Sequence, residues 1–399
     1  MTVTGWTRML LSCLVATLVV GCGSVGDHSS KGSSSDTKGP LSVGLVIPQS
    51  GTYAPLGADM KAGWDLWLQQ HGGKLAGRKV TTKVVDEGEG PDTGVPAVQR
   101  TLQGDADVLV GIVNSATALG VQDAVTQSKK LLMIANAGAG AITSDASKYI
   151  WRTSFTNEQV AYAIGKYLAG TPEGKQGAYA IAADYAAGQE AIAGFKRGFE
   201  EAGGKLVGEA KSPFGTTQDF QPFLSKIRSS GAKAVYAFYA GAEAVSFVKQ
   251  YKDFGLADRV PLYGSGFLTE GGVLKAQGKA AAGIRTALHY STELDNAANK
   301  KFVEAYQAQA GRPPTAYAVQ AYDAAAVLDK AMGKADGTSG DALATALDGV
   351  GEIADSPRGT WRFDAHSPAQ EMYLREVKAS GGSAVNAVLK SLGNFPPKP

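Results

Sequence analysis

The sequence predicts an α/β protein: mostly parallel strands covered by helices on both faces, with one α/β unit used twice. Three observations carry this. From Leu41 onward, short runs rich in Val, Ile, Leu and Ala alternate with stretches of helical period. The alternation restarts after Arg152, with elements similar in length and order to the first set. Finally, 51 glycines and a hydrophobic content of 44% suit a globular chain with many tight strand-to-helix turns. The roughly 360 residues from Leu41 are large for one hydrophobic core and imply two domains.

The first strand is expected over 41–47 and the following helix over 58–70. In that helix Met60, Trp64, Trp67 and Leu68 fall at i, i+4, i+7 and i+8, so they share one face and read as core. Strands follow at 80–85, 108–113 and 131–135. The second series reads helix 160–168, strand 177–182, helix 188–202, strand 205–209, helix 220–229, strand 234–239, helix 243–254 and strand 260–263. After it come 283–289 and a helical stretch over 296–332. Pro313-Pro314 breaks that stretch, because proline lacks the N–H and clashes with the preceding turn. Two short strand-like segments, 360–363 and 372–378, lie near the C-terminus.

Ahead of this body, residues 9–20 form an apolar run behind Arg8 that is too short to span a bilayer and reads as a secretory signal. Val19-Val20-Gly21 before Cys22 resembles a bacterial lipobox, which implies loss of 1–21 and a lipid on Cys22. The competing reading is an ordinary cleaved signal with an incidental cysteine. Residues 22–40 are Gly/Ser/Lys/Asp-rich and read as a flexible tether. The expected location is therefore the outer side of the cell membrane, lipid-anchored and facing the periplasm or the cell surface. Cys13 falls in the signal and Cys22 at the lipid site, so no thiol is left for a disulfide, a metal or a nucleophile. The chain has 39 Lys+Arg against 37 Asp+Glu, and 1–21 contains only Arg8 among them. That near-neutral balance argues against a nucleic-acid partner.

Ligands of open parallel sheets sit beyond the carboxyl ends of the strands. The loops there are small and polar: Pro48-Gln49-Ser50-Gly51-Thr52-Tyr53, Asn114-Ser115-Ala116-Thr117 and Asn136-Ala137-Gly138-Ala139-Gly140 in the first series. Asp184-Tyr185-Ala186-Ala187-Gly188, Tyr239-Ala240-Gly241 and Gly264-Ser265-Gly266-Phe267 occupy the same places in the second. Ser115 precedes a helix, so it reads either as a plain N-cap or, with free backbone N–H groups, as an anion holder.

The order and spacing of Pro48-x-Ser50-Gly51-x-Tyr53, Gly111…Ser115, Asn136-Ala137-Gly138 and Asp184-Tyr185-x-x-Gly188 resemble the branched-chain amino-acid (leucine/isoleucine/valine) type of periplasmic binding protein. So does the run Phe302…Tyr306…Gly311-Arg312-x-Pro314…Tyr317-Ala318…Tyr322-Asp323-Ala324. The resemblance covers about residues 41–378. It implies two Rossmann-like lobes joined by three crossovers, the type I periplasmic binding protein fold. Lobe 1 is expected from 41–155 plus 286–366 and lobe 2 from 156–285 plus 367–399. Such a protein would act as a monomer without cofactor, close on a small carboxylate, and deliver it to the permease and ATPase subunits of an ABC importer. A ligand-sensing receptor on the same fold is the alternative.

Carried over by this resemblance, Ser115 matches the serine that holds the ligand carboxylate. Ala137, Gly138 and Ala139 match the loop that holds carboxylate and amino groups. Ser50, Tyr53, Asn114 and Asn136 complete the first lobe's share, and Tyr185, Tyr239 and Phe267 form the second lobe's. Two departures stand out. Ala139 replaces a threonine common in amino-acid binders. Gly266 falls where those proteins place a glutamate against the ligand ammonium, with Glu270 four residues on. The pattern is similar to a branch that takes aromatic or other non-amino carboxylates, although Asp184 or Glu270 would restore the charge if the alignment slips.

Chemistry for an enzyme is not found. His28, His71, His289 and His366 are scattered, with no metal-ligand spacing. The run 170–175 has neither the spacing of a phosphate loop nor a preceding strand. No Gly-x-Ser-x-Gly elbow precedes a helix. The acidic run 86–89 reads as a strand-end loop.

Overall fold

Strand β1 (Leu41–Ile47) buries six of its seven residues, so it has no solvent face and must run inside a parallel sheet. The computed structural model describes residues 39–144, 147–380 and 383–398. The expected signal, Cys22 and almost all of the tether lie outside the described residues. In the first sheet β1 is flanked by β3 (Arg78–Asp86) on one side and β4 (Val108–Gly111) on the other, with β5 (Leu131–Ile134) and β6 (Ile150–Arg152) beyond β4. All of these pair in parallel. The two-residue β2 (Lys74–Leu75) adds an antiparallel edge to β3.

The second sheet repeats the winding. β7 (Ala178–Asp184) lies between β8 (Leu206–Pro213) and β9 (Ala234–Phe238), followed by β10 (Leu262–Ser265) and β11 (Arg285–Leu288), again all parallel. In both sheets the first strand of the series sits between the second and the third, so the order reverses there. The duplication expected from the element series is thus present in the strand order.

The chain passes between the sheets three times. It leaves β6 for helix Asn157–Ala169 and β7, and it leaves β11 for helices Ala297–Ala310 and Ala316–Lys334. The second of these packs on helix Ala54–Gln70 beside the first sheet. It then returns through β12 (Arg362–Asp364) to β13 (Ser367–Ser380), which runs antiparallel to β11. The helix contact is close: a Cβ at Gly63 would stand 2.0 Å from the Ala318 carbonyl oxygen, so only glycine fits.

Several boundaries differ from expectation. Helix Ala54–Gln70 begins four residues early, since Pro55 occupies the first turn, where a missing N–H costs nothing. Met60 and Trp64 are fully buried in the core, while Trp67 and Leu68 are half-buried against it. The strand expected over 108–113 stops at Gly111, whose φ of 131° turns the chain away. Helix Pro91–Gln103 was hidden by Pro91 and Pro96, and helix Gly340–Asp348 was likewise not anticipated. At the C-terminus, β13 and β14 (Ser383–Phe395) form a long antiparallel hairpin in place of short segments. No helix among the described residues is long and apolar enough to cross a membrane.

Candidate ligand-binding cavity

A cavity lies between the carboxyl ends of the two sheets, where ligands of open parallel sheets sit. From the first series it takes Tyr53 and Leu56 after β1, Val113 and Ser115 after β4, and Asn136 and Gly138 after β5. The second series adds Tyr185 and Ala187 after β7, Phe238 and Ala240 at the end of β9, and Phe267 after β10. Phe155 and Asn157, from the pass between the sheets, and Tyr317 close it.

One end of the cavity is polar and tightly constructed. Ile112, the residue before Val113, sits at φ 64°, a strained position for a β-branched side chain. Backbone bonds to Val46 and Ala137 hold it there. Beneath the turn, the wholly buried Glu87 accepts the N–H groups of Val113 and Asn114, both at 2.8 Å. Burial pushes this carboxyl up to about 8, against the two donors that favour its ionised form. Asn114 caps helix Ser115–Gly120 by accepting from the Ala116 and Thr117 N–H groups. Ser115 is therefore presented at a fixed place. Its Oγ accepts the Ala139 N–H at 3.2 Å, leaving the hydroxyl proton to donate.

The neighbouring loop is equally constrained. The Ala137 N–H is taken by the Ile112 carbonyl, and the Gly138 carbonyl accepts the Asn157 N–H at 2.7 Å. A Cβ at Gly138 would stand 2.3 Å from Asn157 Oδ1 and 2.5 Å from the Phe155 ring, so this position needs glycine. The Gly138 N–H takes part in none of the hydrogen bonds among the described residues. Asn136 donates to Gln320 Oε1 at 2.8 Å, which ties the loop to helix Ala316–Lys334. Ser115 and the Gly138 backbone thus offer donors at one end of the cavity.

The walls are aromatic. Phe267 lies 4.6 Å from Phe155, 6.3 Å from Phe238 and 6.1 Å from Tyr317, centroid to centroid. Tyr53 and Tyr185 both pack on Phe214, Tyr185 stacked at 4.2 Å. Burial pushes the Tyr53 phenol well above its usual range and that of Tyr185 up to about 12, so both are neutral hydroxyls at physiological pH. The buried Tyr317 hydroxyl has no hydrogen-bond partner among the described residues.

Of the residues singled out in the sequence, Tyr53, Ser115, Asn136, Gly138, Tyr185 and Phe267 come together in the cavity. Ala137 and Ala139 flank Gly138 in the chain without lining the cavity, and Asn114 serves as the helix cap. The structure does not bring Ser50 or Tyr239 there. Ser50 is exposed and donates to Asp86 Oδ2 at 2.9 Å. Tyr239 is buried in a separate core with Phe220 and Phe247, its hydroxyl 3.0 Å from Ser212 Oγ. The reason is strand alternation: along β9, Tyr236 and Phe238 face one side, Val235, Ala237 and the following Tyr239 the other. Phe238, Phe155, Asn157 and Tyr317 were missed, and the alternation would have found Phe238.

Among the described residues, no carboxylate lines the cavity. A Cβ at Gly266 would meet the Arg375 guanidinium at 2.5 Å and the Leu288 side chain at 2.6 Å, so this position faces the interior rather than a ligand. Glu270 is buried in an ion pair with Arg375 at 2.9 Å and accepts the Ala316 N–H. Asp184 is exposed, where it accepts from Gln189. The acids of the run 86–89 tie backbone: Asp86 accepts from Gln49 and Gly88, Glu87 from the Val113 turn, and Glu89 from Thr52.

Comparison with known proteins agrees with this geometry. The family model described as periplasmic binding protein matches residues 40–383. The Leu/Ile/Val-binding protein homolog 6 of Brucella melitensis biotype 1 is 32% identical over 361 residues, covering 88% of this chain and 91% of the relative. A solute-binding protein of an ABC transporter from R. palustris, solved in complex with benzoate, is 36% identical with a TM-score of 0.81. That likeness covers 90% of this chain and 98% of the other. Another from Rhodopseudomonas palustris BisB5, in complex with 3,4-dihydroxybenzoic acid, is 30% identical with a TM-score of 0.82, covering 88% and 97%. A chain with this fold, this cavity and a match across nearly all its described length belongs to the periplasmic binding protein family: it is a solute-binding protein, not an enzyme.

Proposed function

We propose that this protein is the extracytoplasmic binding lipoprotein of an ABC importer, and that it carries a small aromatic carboxylate to the permease and ATPase subunits. The observation that carries the reading is a cavity with hydrogen-bond donors at one end, aromatic rings along its walls and, among the described residues, no carboxylate to pair an ammonium. The ligand carboxylate would take the Ser115 hydroxyl and the Gly138 N–H, and its ring would lie among Phe155, Phe238, Phe267 and Tyr317. Similarity to solved proteins that hold benzoate and 3,4-dihydroxybenzoic acid supports the choice of ligand class. The lobes would follow the sheets: 41–152 with the helices of 297–348 in one, 157–288 with 362–395 in the other. Three passes between them limit relative motion to a hinge, so ligand would favour a closed form already accessible to the free protein. The protein would work as a monomer, with Cys22 carrying the lipid.

Calorimetric titration of the purified protein tests the ligand class. Benzoate or a hydroxybenzoate is expected to bind and leucine not to; heat from leucine alone would overturn the aromatic reading. Anchoring is tested separately, since Cys22→Ser should move the protein from the detergent phase to the aqueous phase in a phase-partition assay. Unchanged partition would remove the lipid.

A further inference from the structure

Arg152, Arg358 and Arg375 are buried close to where the chain passes between its sheets. Two of them have conventional partners: Arg358 meets Asp323 at 2.9 Å and Arg375 meets Glu270 at 2.9 Å. Arg152 is different. It is wholly buried, and among the described residues its guanidinium donates only to neutral oxygens. Nε reaches Ser367 Oγ at 3.0 Å, and one terminal nitrogen reaches the carbonyls of Ala137 and Ala139 at 3.0 and 2.9 Å. The other reaches Thr143 Oγ1 at 2.5 Å. Glu190 contributes to the field at Arg152 but makes no ion pair with it; its carboxylate is taken by the Gly140 N–H and by Asn157 Nδ2. Burial lowers Arg152 only to about 10, so it stays charged at neutral pH. A buried cation without a carboxylate is costly and calls for a reason.

The two carbonyls it grips flank Gly138. In a trans peptide the C=O of one residue and the N–H of the next point in opposite directions. Drawing the Ala137 carbonyl to Arg152 therefore turns the Gly138 N–H away from it, and Gly138 lines the cavity. The guanidinium holds the loop by the carbonyls on either side of Gly138, and Ser115 bonds the same loop through the Ala139 N–H. We propose that Arg152 is the fixed countercharge of the ligand carboxylate: a positioning residue that never touches the ligand. It aims the Gly138 N–H and supplies through the loop the positive charge that Ser115 and the backbone lack. This rests on the reading of the ligand as a carboxylate.

Arg152→Gln removes the charge while keeping a side chain able to hydrogen-bond a carbonyl, and Arg152→Lys keeps the charge without the fork. The probes are benzoate and its neutral isostere benzamide, titrated into wild type and both variants, with thermal melting as the check on folding. The wild-type preference for benzoate over benzamide should fall about tenfold or more in the glutamine variant and stay within about threefold in the lysine variant. Equal losses for both probes in Arg152→Gln would overturn the proposal, leaving Arg152 a support for loop shape alone. If Arg152→Gln does not fold, a collapsed preference in Arg152→Lys would overturn it equally. If the wild type binds leucine and not benzoate, the aromatic reading fails. The same comparison with leucine and leucinamide then decides the role of Arg152.

Discussion

Replacing Ser115 with alanine tests the polar end of the cavity most directly. The side chain is 2% exposed, and its Oγ already accepts the Ala139 N–H, so in the bound state the hydroxyl would bridge that loop and a ligand oxygen. Alanine removes a hydrogen bond to a charged group, worth about 1.5–3 kcal/mol, which corresponds to a loss of about tenfold to a hundredfold in affinity. It also leaves the Ala139 N–H without its acceptor, at a cost to the free protein of about 1 kcal/mol. The two effects separate by assay: calorimetry with benzoate reads the first, and urea unfolding without ligand reads the second. Tyr239→Phe is the matched control, because it deletes a buried hydroxyl bonded to Ser212 in a different core. It should lose stability to a similar extent and leave affinity unchanged. Affinity within twofold of wild type for Ser115→Ala, or an equal loss for Tyr239→Phe, would refute the assignment of Ser115 to the site.

Two further predictions concern buried groups around the cavity. Glu87 is raised from 4.5 to about 8, so its stabilising contribution is full below pH 4.5 and is lost as pH rises through about 8. Glu87→Gln removes that dependence, and the stability gap between wild type and variant should shrink by up to roughly 5 kcal/mol across that interval. Parallel urea midpoints across it would refute the burial argument. Tyr317→Phe removes a buried hydroxyl without a partner among the described residues, so it should leave the ligand-free protein as stable as wild type or about 1 kcal/mol more so. A clear loss in thermal midpoint would mean that the hydroxyl is satisfied.

Much of the architecture was legible because strand and helix periods are local properties. β1, β3, β5, β7 and β9 fall within two or three residues of their expected places, and the repeated series reappears as a repeated strand order. The errors have physical causes. Prolines obscured helix Pro91–Gln103, and the half-buried residues of β14 gave no clear alternation. In the site, loops at the strand ends yielded Ser115, Gly138, Tyr185 and Phe267, since chain direction alone puts those loops on one side of a parallel sheet. Choosing Tyr239 over Phe238 was a one-residue error of face, which in a strand moves a side chain to the opposite layer. Tyr317 and Arg152 were beyond reach for another reason. Their roles depend on partners brought together only by the tertiary fold, such as Tyr317 against Phe267 and Arg152 against Ser367.

On the proposed reading, discrimination against amino acids needs no added repulsive group. Ser115 and the Gly138 N–H would hold the carboxylate of either ligand class equally well, so selectivity must come from what surrounds the α-carbon. An ammonium taken into this cavity would meet aromatic rings and buried tyrosine hydroxyls rather than a carboxylate. A ring face returns about 2 kcal/mol to a desolvated cation. The penalty for removing that cation from water without a charged partner is several kcal/mol. The balance therefore lies against the amino acid. Glu270, the acid that the sequence put four residues past the expected ammonium partner, is held by Arg375 and the Ala316 N–H. Turning it toward the ligand would leave Arg375 unpaired in the interior, at about 3–5 kcal/mol, which offsets what an ammonium–carboxylate contact would recover. On this reading the Glu270–Arg375 pair serves selectivity as well as the fold: it keeps this acid from the ligand.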